Sequence, residues 1–376
     1  MTAVHSVLVV GGGLAGTAAA IALVTGGVEV ELIEIDPGIA TIGSGITLQG
    51  NALRELRTLG VWDRVQPEGY CFDSLGLRAP DAMGTLLVEL PDFHMGGPDL
   101  PATLGLPRPA LARILHDRAA EVGVDTRFGV TATRFDQRDD GVEVLFSDGS
   151  TGRFDLVIGA DGIRSATRRL LDIELETRDT GMGIWRAFGP RPASVTRTDL
   201  YYGGPSYIAG YCPTGDNSLY AYVVEKSRDR FGLAPRERLA ILRELAAEYH
   251  GPWDEIRETL TDPGRVHYTR LETHILPPPW QRGRVVLIGD AAHTCPPTLA
   301  QGGALALEDA AVLSELLLAA DTVDDRLWSA FTARRYLRAK CVVDASNQLA
   351  QWLLDHERGD VPGLMGAVAN VCTPPA

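Results

Sequence analysis

The stretch that decides the fold is SVLVVGGGLAGTAAAIALVTGGVEVELIE, residues Ser6 to Glu34. Val7 to Val10 form a short, wholly apolar run, the composition of a strand buried on both faces. Gly11 to Gly16 then turn the chain. Thr17 to Thr25 is rich in small residues, suits a helix, and stops at Gly26 and Gly27, residue types that tolerate the left-handed conformation of a helix end. Val28 to Ile35 returns to strand. Strand, glycine turn, helix and strand make a βαβ unit, and parallel strands joined in this way imply a sheet covered on both faces. The uncharged run from Ser6 to Val28 is long enough to cross a bilayer. It nevertheless holds six glycines, and no Lys or Arg precedes it as in the n-region of a signal peptide. We read it as a folded unit and expect no membrane span.

The same glycines form a GxGxxG pattern through Gly11, Gly13 and Gly16. The first permits a tight turn, the second lets the backbone approach a pyrophosphate, and the third lets helix pack on strand. The phosphate then sits at the helix start, where free N–H groups and the dipole favour an anion. Alone the pattern is weak evidence. Here it follows a strand, opens a helix, and is followed about 20 residues on by Glu34 at a strand end, placed to bind a ribose hydroxyl.

Two later segments repeat one theme. DLVIGADGIRSATR (Asp155–Arg168) and GRVVLIGDAAHTCPP (Gly283–Pro297) each place an aspartate just after an apolar strand ending in glycine. Asp161 and Asp290 should therefore emerge at carboxyl ends of sheet strands, where ligands of open α/β sheets bind. Between about 180 and 265 the texture changes to Tyr- and Gly-rich alternation, as in TDLYYGGPSYIAGYCPTGDNSLYAYVVE, which suits antiparallel sheet. Phe72 to Leu90 reads as a hairpin, and helices are expected over Asn51–Leu59, Pro109–Val122, Arg236–Tyr249, Ala304–Leu318 and Asp325–Asp355.

Composition narrows the class. The 376 residues exceed what one compact core usually uses, so two domains are expected. A net charge of −14 with no basic block argues against nucleic acid or an anionic membrane as partner. Five scattered cysteines with no CxxC pair suit a reduced, cytoplasmic protein. Asp290, His293 and Cys295 lie close in sequence, but a metal would need a further ligand and none is near, so no metal site is expected. His293 is expected to brace the turn, and Cys295 is not expected to be a catalytic thiol.

Taken in order, Gly11–Gly16 with Glu34, the Asp161-Gly162 motif and the Gly289-Asp290 motif resemble the single-component (class A) FAD-dependent aromatic monooxygenases, the group that includes para-hydroxybenzoate hydroxylase. GSGITLQGNALRELRTLGV (Gly43–Val61) and Arg108 match further segments of that family, and the resemblance covers most of the chain. It implies an α/β fold: a Rossmann-like FAD-binding domain (residues 1–70, 105–178 and 266–345), an inserted antiparallel-sheet substrate domain (71–104 and 179–265), and a C-terminal helical segment (346–376). It places Gly11, Gly13, Leu14, Ala15 and Gly16 on the FAD pyrophosphate and Glu34, followed by Ile35, on the adenosine ribose. Arg108 falls near the FAD backbone, Asp161 and Gly162 in a motif tied to FAD and NAD(P)H, and Asp290 on the ribityl region. Pro297 would lie beside the isoalloxazine, with Gly302 and Gly303 at its pyrimidine edge.

The family's chemistry follows: NAD(P)H reduces FAD, O₂ adds to give a C4a-hydroperoxyflavin, and one oxygen passes to an electron-rich aromatic or heteroaromatic ring. With a single GxGxxG, NADPH or NADH would bind only transiently. Tyr220 and Tyr222 alternate onto one face, as do Tyr207 and Tyr211, and are candidates to hydrogen-bond the substrate; Thr47 and Gln49 are further pocket candidates by resemblance, and Arg186 could pair with a substrate carboxylate. The chain departs from the family pattern at Ala300 (often Gly), Ala304 (often Asn) and Ile35 (often Arg). A flavin oxidase or dehydrogenase and a ring-opening oxygenase remain as alternatives. A halogenase would carry WxWxIP, and no two tryptophans here are two apart. A monomer or homodimer is expected.

Overall fold

The computed structural model describes residues 2–39 and 44–376. Ser6–Val10 and Glu29–Glu34 pair in parallel, with Val7 opposite Val30 and Val9 opposite Leu32, and the Leu14–Thr25 helix joins them. Leu156–Gly159 pairs on the other side of Ser6–Val10, Val285–Leu287 lies beyond it, and Asp125–Phe128 flanks Glu29–Glu34. Gln281–Arg282 adds an antiparallel edge to this six-stranded sheet. Val7 and Val9 pack into a core shared with the Leu14–Thr25 and Gly302–Ala319 helices. Leu8 and Val10 face the other way, onto Val142, Val144 and Phe146 of a three-stranded antiparallel sheet. Both faces are buried, which is why the strand shows no polar alternation.

The second layer is an eight-stranded sheet. Its order is His293–Thr294, Val266–Ile275, Arg178–Pro190, Ser218–Lys226, Ile208–Gly215, Thr198–Tyr202, Ser74–Arg78 and Leu86–Pro91. One face carries Trp185, Ala187, Tyr211, Ala221 and Val223 and is covered by Leu242 and Ala246 of the Pro235–Ala246 helix and by Trp253 and Ile256 of the Pro252–Thr259 helix. The opposite face carries Phe188, Cys212, Tyr220 and Tyr222. Farther along, Ile184 and Val224 meet Ala350, Leu353 and Leu354 of the long Asp325–Leu354 helix.

Val266–Ile275 belongs to this larger sheet, pairing Ile184 with Thr269 and Arg186 with His267. A boundary at residue 266 therefore falls too early, and the strand's alternation is the reason: Val266 and Tyr268 enter the helix-covered core while His267 and Thr269 face away. The Pro252–Thr259 helix is absent from the sequence reading, and the Val361–Cys372 helix falls within the C-terminal helical segment expected over 346–376. Both carry proline in the first turn, where its missing N–H costs nothing and its fixed φ favours the helix start. Among the described residues no helix is long and apolar enough to cross a membrane.

Candidate functional site

The three glycine-containing motifs converge at the carboxyl ends of neighbouring parallel strands. Gly11 adopts φ +108°, and a Cβ there would lie 2.5 Å from the Ala160 carbonyl oxygen, beside Asp161. At Gly16 a Cβ would lie 1.9 Å from the Gly11 carbonyl oxygen, so the turn closes only on glycine. Gly13 differs: a Cβ there meets nothing within 4 Å, although the residue is the N-cap of the Leu14–Thr25 helix. The turn is held from outside. Glu34 accepts from the Gly12 N–H at 2.7 Å and the Asp36 N–H at 2.9 Å, while His116 Nε2 donates to the Gly12 carbonyl at 2.9 Å. Ile35 is exposed, and Leu14 and Ala15 open the helix.

Asp161 organises the second motif. Its carboxylate accepts from Ser165 Oγ at 2.5 Å and from the Thr167 N–H at 2.8 Å, while Gly162 turns the chain at φ +76° with open space before it. Buried Arg168 ties this loop to the third motif, donating to the Ala291 carbonyl at 2.8 Å and the Ile163 carbonyl at 3.0 Å. Gly289 packs against Ala15, where its Cβ would come within 3.0 Å. The Asp290 side chain is exposed, yet surrounding protein pushes its carboxyl up from the usual range, with His293 and Arg108 pulling the other way. Asp290 thus stands exposed just beyond the carboxyl end of its strand, in the crevice where open α/β sheets take their ligands, hereafter the cleft. Arg108 stands exposed at the start of its own helix, near enough to act on that carboxylate.

His274 supports the loop from the neighbouring sheet. A carbonyl can only accept, so Nε2 carries the proton to the Asp290 oxygen at 3.0 Å, and Nδ1 accepts from Thr177 Oγ1 at 2.8 Å. Burial, with Arg168 nearby, lowers its pKa from 6.5 to about 4. The unfolded chain therefore binds a proton below about pH 6.5 that the folded chain refuses until about 4. Stability should fall as pH drops through that window, by up to about 3 kcal/mol at the acid end. Thermal unfolding across pH 4 to 7 measures this, and His274→Gln should flatten the profile; an unchanged profile would contradict the assignment.

The third motif continues into a loop whose conformation is set by its own backbone. Pro297 is exposed, Ala300 adopts φ +53°, and the Gly302–Ala319 helix starts with open space before Gly302. A Cβ on Gly303 would meet Leu48, Ile46 and Leu14 at 3.3 to 3.5 Å, so this helix start abuts the first one. Ala300 is strained where glycine would not be. Ala300→Gly should raise the unfolding free energy by up to about 1 kcal/mol; a lower midpoint in a denaturant melt would show that the Ala300 methyl contributes more by packing.

Asp290, His293 and Cys295 do not converge. His293 Nε2 pairs with Asp309 Oδ2 at 2.6 Å, the Cys295 thiol is pushed up to about 12 by burial, and Asp290 opens to the cleft. Among the described residues no three His, Cys, Asp or Glu side chains gather as a metal site. Behind the loop lies an ionic cluster that the sequence reading did not find. Fully buried Arg335 donates to Asp309 Oδ1 at 2.7 Å and Glu308 Oε2 at 3.0 Å, and Arg338 forks onto both oxygens of Glu308 at 2.6 and 2.8 Å. Burial alone would raise the Asp309 carboxyl, but His293 and Arg335 overcome it and hold the group at about 2.

A second wall comes from the eight-stranded sheet, beside the Gly45–Gln49 strand that packs on Gly303. Tyr220 and Tyr222 stack with ring centroids 5.1 Å apart and share their face with Phe188 and Cys212. Burial raises both phenols above 10, so they stay protonated and can donate hydrogen bonds. Thr47 reaches this wall, donating to Cys212 Sγ at 3.4 Å, and a Cβ on Gly45 would lie 2.6 Å from Tyr220 Cβ. Arg186 is registered opposite Tyr222 and donates to Thr269 Oγ1 at 2.5 Å. Gly43, the first residue of the family-like segment, lies outside the described residues.

Tyr211 requires correction as a substrate-contact candidate. It points into the core under the helices, donating to Asp199 Oδ2 at 2.7 Å, because odd and even positions of Ile208–Gly215 face opposite sides. Tyr207 precedes that strand and packs with Tyr222 and near His356, so Tyr207 and Tyr211 do not share a face.

The cleft suits a bound dinucleotide. It combines an unobstructed helix start at Gly13, a second at Gly302, and a cleft-lining carboxylate on Asp290. The FAD binding domain family matches residues 5–346. A 2-heptyl-3-hydroxy-4(1H)-quinolone synthase of Pseudomonas aeruginosa is 32% identical over 355 residues, covering 92% of this chain and 90% of its own. An aurachin C monooxygenase/isomerase of Stigmatella aurantiaca is 30% identical over 354 residues, with 92% and 90% covered. Among solved structures, a tetrameric 2-methyl-3-hydroxypyridine-5-carboxylic acid oxygenase superposes with a TM-score of 0.82 at 25% identity, covering 98% of this chain and 96% of that one.

Proposed function

Because the chain belongs to the FAD binding domain family and is an FAD-dependent aromatic monooxygenase, we propose that its substrate is a planar heteroaromatic ring carrying a hydrogen-bonding oxygen. The observation that carries this reading is the stacked pair of neutral phenols, Tyr220 and Tyr222, on an otherwise apolar wall facing Thr47. When bound, FAD would supply the redox chemistry that couples NAD(P)H oxidation to insertion of one oxygen atom of O₂ into the ring, the other leaving as water.

The protein's share is to bind, orient and exclude water. Gly11, Gly13, Leu14, Ala15 and Gly16 would cradle the pyrophosphate, and Glu34 would take the ribose with Ile35 beside it. Arg108 and Asp290 would hold the central part of the cofactor, and Asp161 and Gly162 would shape the adjoining loop. Pro297, Gly302 and Gly303 would line the isoalloxazine. Tyr220, with Tyr222 and Thr47, would donate to the ring oxygen and favour its deprotonated, electron-rich form, while the apolar surround of Phe188 and Cys212 keeps water out. Arg186 would favour a substrate with an anionic group. Its guanidinium already acts on Tyr220. Five free thiols fit a reducing cytoplasm, and we place the enzyme there as a monomer or homodimer, which light scattering distinguishes.

The test is a panel of phenols, pyridinols and quinolones with the FAD-loaded enzyme. A hit should stimulate NAD(P)H oxidation and yield a product heavier by one oxygen. Two added oxygens would move the reading to ring opening. Oxidation of substrate with no oxygen gained would make the protein a dehydrogenase or oxidase.

A further inference from the structure

Gln301 sits immediately before the Gly302–Ala319 helix and is 1% exposed. As the N-cap it could cap its own helix, but its side chain makes no such bond. The amide reaches across to another element. Nε2 donates to Gln49 Oε1 and to Asn51 Oδ1 at 3.3 Å, and Oε1 accepts from Asn51 Nδ2 at 3.0 Å. Gln49 ends the Gly45–Gln49 strand, and Asn51 lies in the first turn of the Gly50–Thr58 helix. Asn51 also donates to Glu308 Oε1 at 3.0 Å, which fixes its position against the buried ionic cluster.

Two consequences follow from this arrangement. The first N–H groups of the Gly302–Ala319 helix are left without a side-chain cap, free to face a ligand. The loop is also joined to the strand whose Thr47 contacts Cys212 of the substrate wall. One buried amide thus links the loop to the Gly45–Gln49 strand and, through Thr47, to the substrate wall.

We propose that Gln301 is a positioning residue: through Gln49 and Asn51 it holds the helix start at Gly302 against the pyrimidine edge of the flavin. The inference rests on the reading that Gly302 and Gly303 face that edge. A helix N-terminus favours negative charge and therefore favours the reduced, anionic flavin over the oxidised one. Releasing the helix start weakens that preference. A glutamine that only filled the core would leave the flavin's potential unchanged when replaced by a residue of similar volume.

Gln301→Met and Gln49→Met keep side-chain bulk and remove the amide contact. In the FAD-loaded protein each should retain flavin but shift its two-electron midpoint potential negative by about 30 mV, a tenfold weaker preference for the reduced form. The visible circular dichroism of the flavin should change, and the double variant should shift no further than Gln301→Met alone. Gly302→Val tests the site itself, because the space before Gly302 is open. If Gly302→Val perturbs the flavin while both methionine variants keep the wild-type potential and dichroism, the proposal is overturned and the flavin site stands. If Gly302→Val leaves the flavin unaltered too, the placement of the flavin is wrong and the proposal falls with it. Should Gln301→Met fail to fold, Gln49→Met, which lies outside the loop, decides the matter alone.

Discussion

Gly13→Val is expected to yield a folded, colourless protein. A Cβ at this exposed position meets no heavy atom of another segment within 4 Å, so the fold leaves room for it. It would instead occupy the space in front of the first helix, where backbone N–H groups would meet the proposed pyrophosphate. FAD affinity should fall at least about 100-fold, which corresponds to roughly 3 kcal/mol of lost binding. The unfolding midpoint of the FAD-free protein should hardly move, since surface substitutions of this kind lie within about 0.5 kcal/mol. Gly16→Val provides the contrast. Its Cβ would collide with the Gly11 carbonyl oxygen at 1.9 Å, and the turn itself should fail to close. Flavin absorbance of the purified proteins, FAD titration of the apoproteins and thermal melts separate the two cases. Full flavin content in Gly13→Val would rule out the pyrophosphate assignment.

Arg335→Met should destabilise the fold by about 3 to 5 kcal/mol, the usual consequence of leaving a buried charge without its partner. Arg335 is fully buried between Asp309 and Glu308 and also donates to the Leu305 carbonyl at 3.2 Å. Glu308 keeps Arg338, but Asp309 would retain only His293 and the Gly289 N–H. That N–H belongs to the motif that presents Asp290, so the damage should reach the cleft as well as the global stability. Denaturant unfolding of the variant measures the first effect and FAD titration the second. Lys340→Ala supplies the comparison: its pair with Asp344 is exposed, and such pairs contribute well under 1 kcal/mol. Equal losses from the two substitutions would show that the cluster is not the anchor its geometry implies.

Asp309 also sets the sign of the acid response. Its pKa is about 2 in the fold against 3.8 ordinarily, so the unfolded chain takes up the proton first as pH falls. Its contribution is present above about pH 4 and fades toward pH 2, below the window in which His274 acts.

Much of this protein was legible along the chain. The Ser6–Glu34 unit, the Asp161 and Asp290 strand ends and the Tyr220–Tyr222 face all rest on local spacing: period two for strands, and glycine where a turn closes against backbone. Such features survive in sequence because the residues concerned are near neighbours, or because a fixed offset selects their side. Tyr211 shows where this reasoning stops. Spacing put it on a face with Tyr207, but Tyr207 lies outside the strand and the parity argument failed at that boundary. The Asp309–Arg335–Glu308–Arg338 cluster and the Gln301–Gln49–Asn51 contact were not readable. Their partners are separated by 26 to 30 residues in the first case and by 250 to 252 in the second. Nothing in a charged or amide side chain announces that it will be buried and paired; only the packing of helix on helix does. The sequence by itself determined the cofactor fold and the chemistry it serves. The tertiary structure alone decided which buried polar groups hold the cleft in shape, because that depends on distances the linear order does not carry.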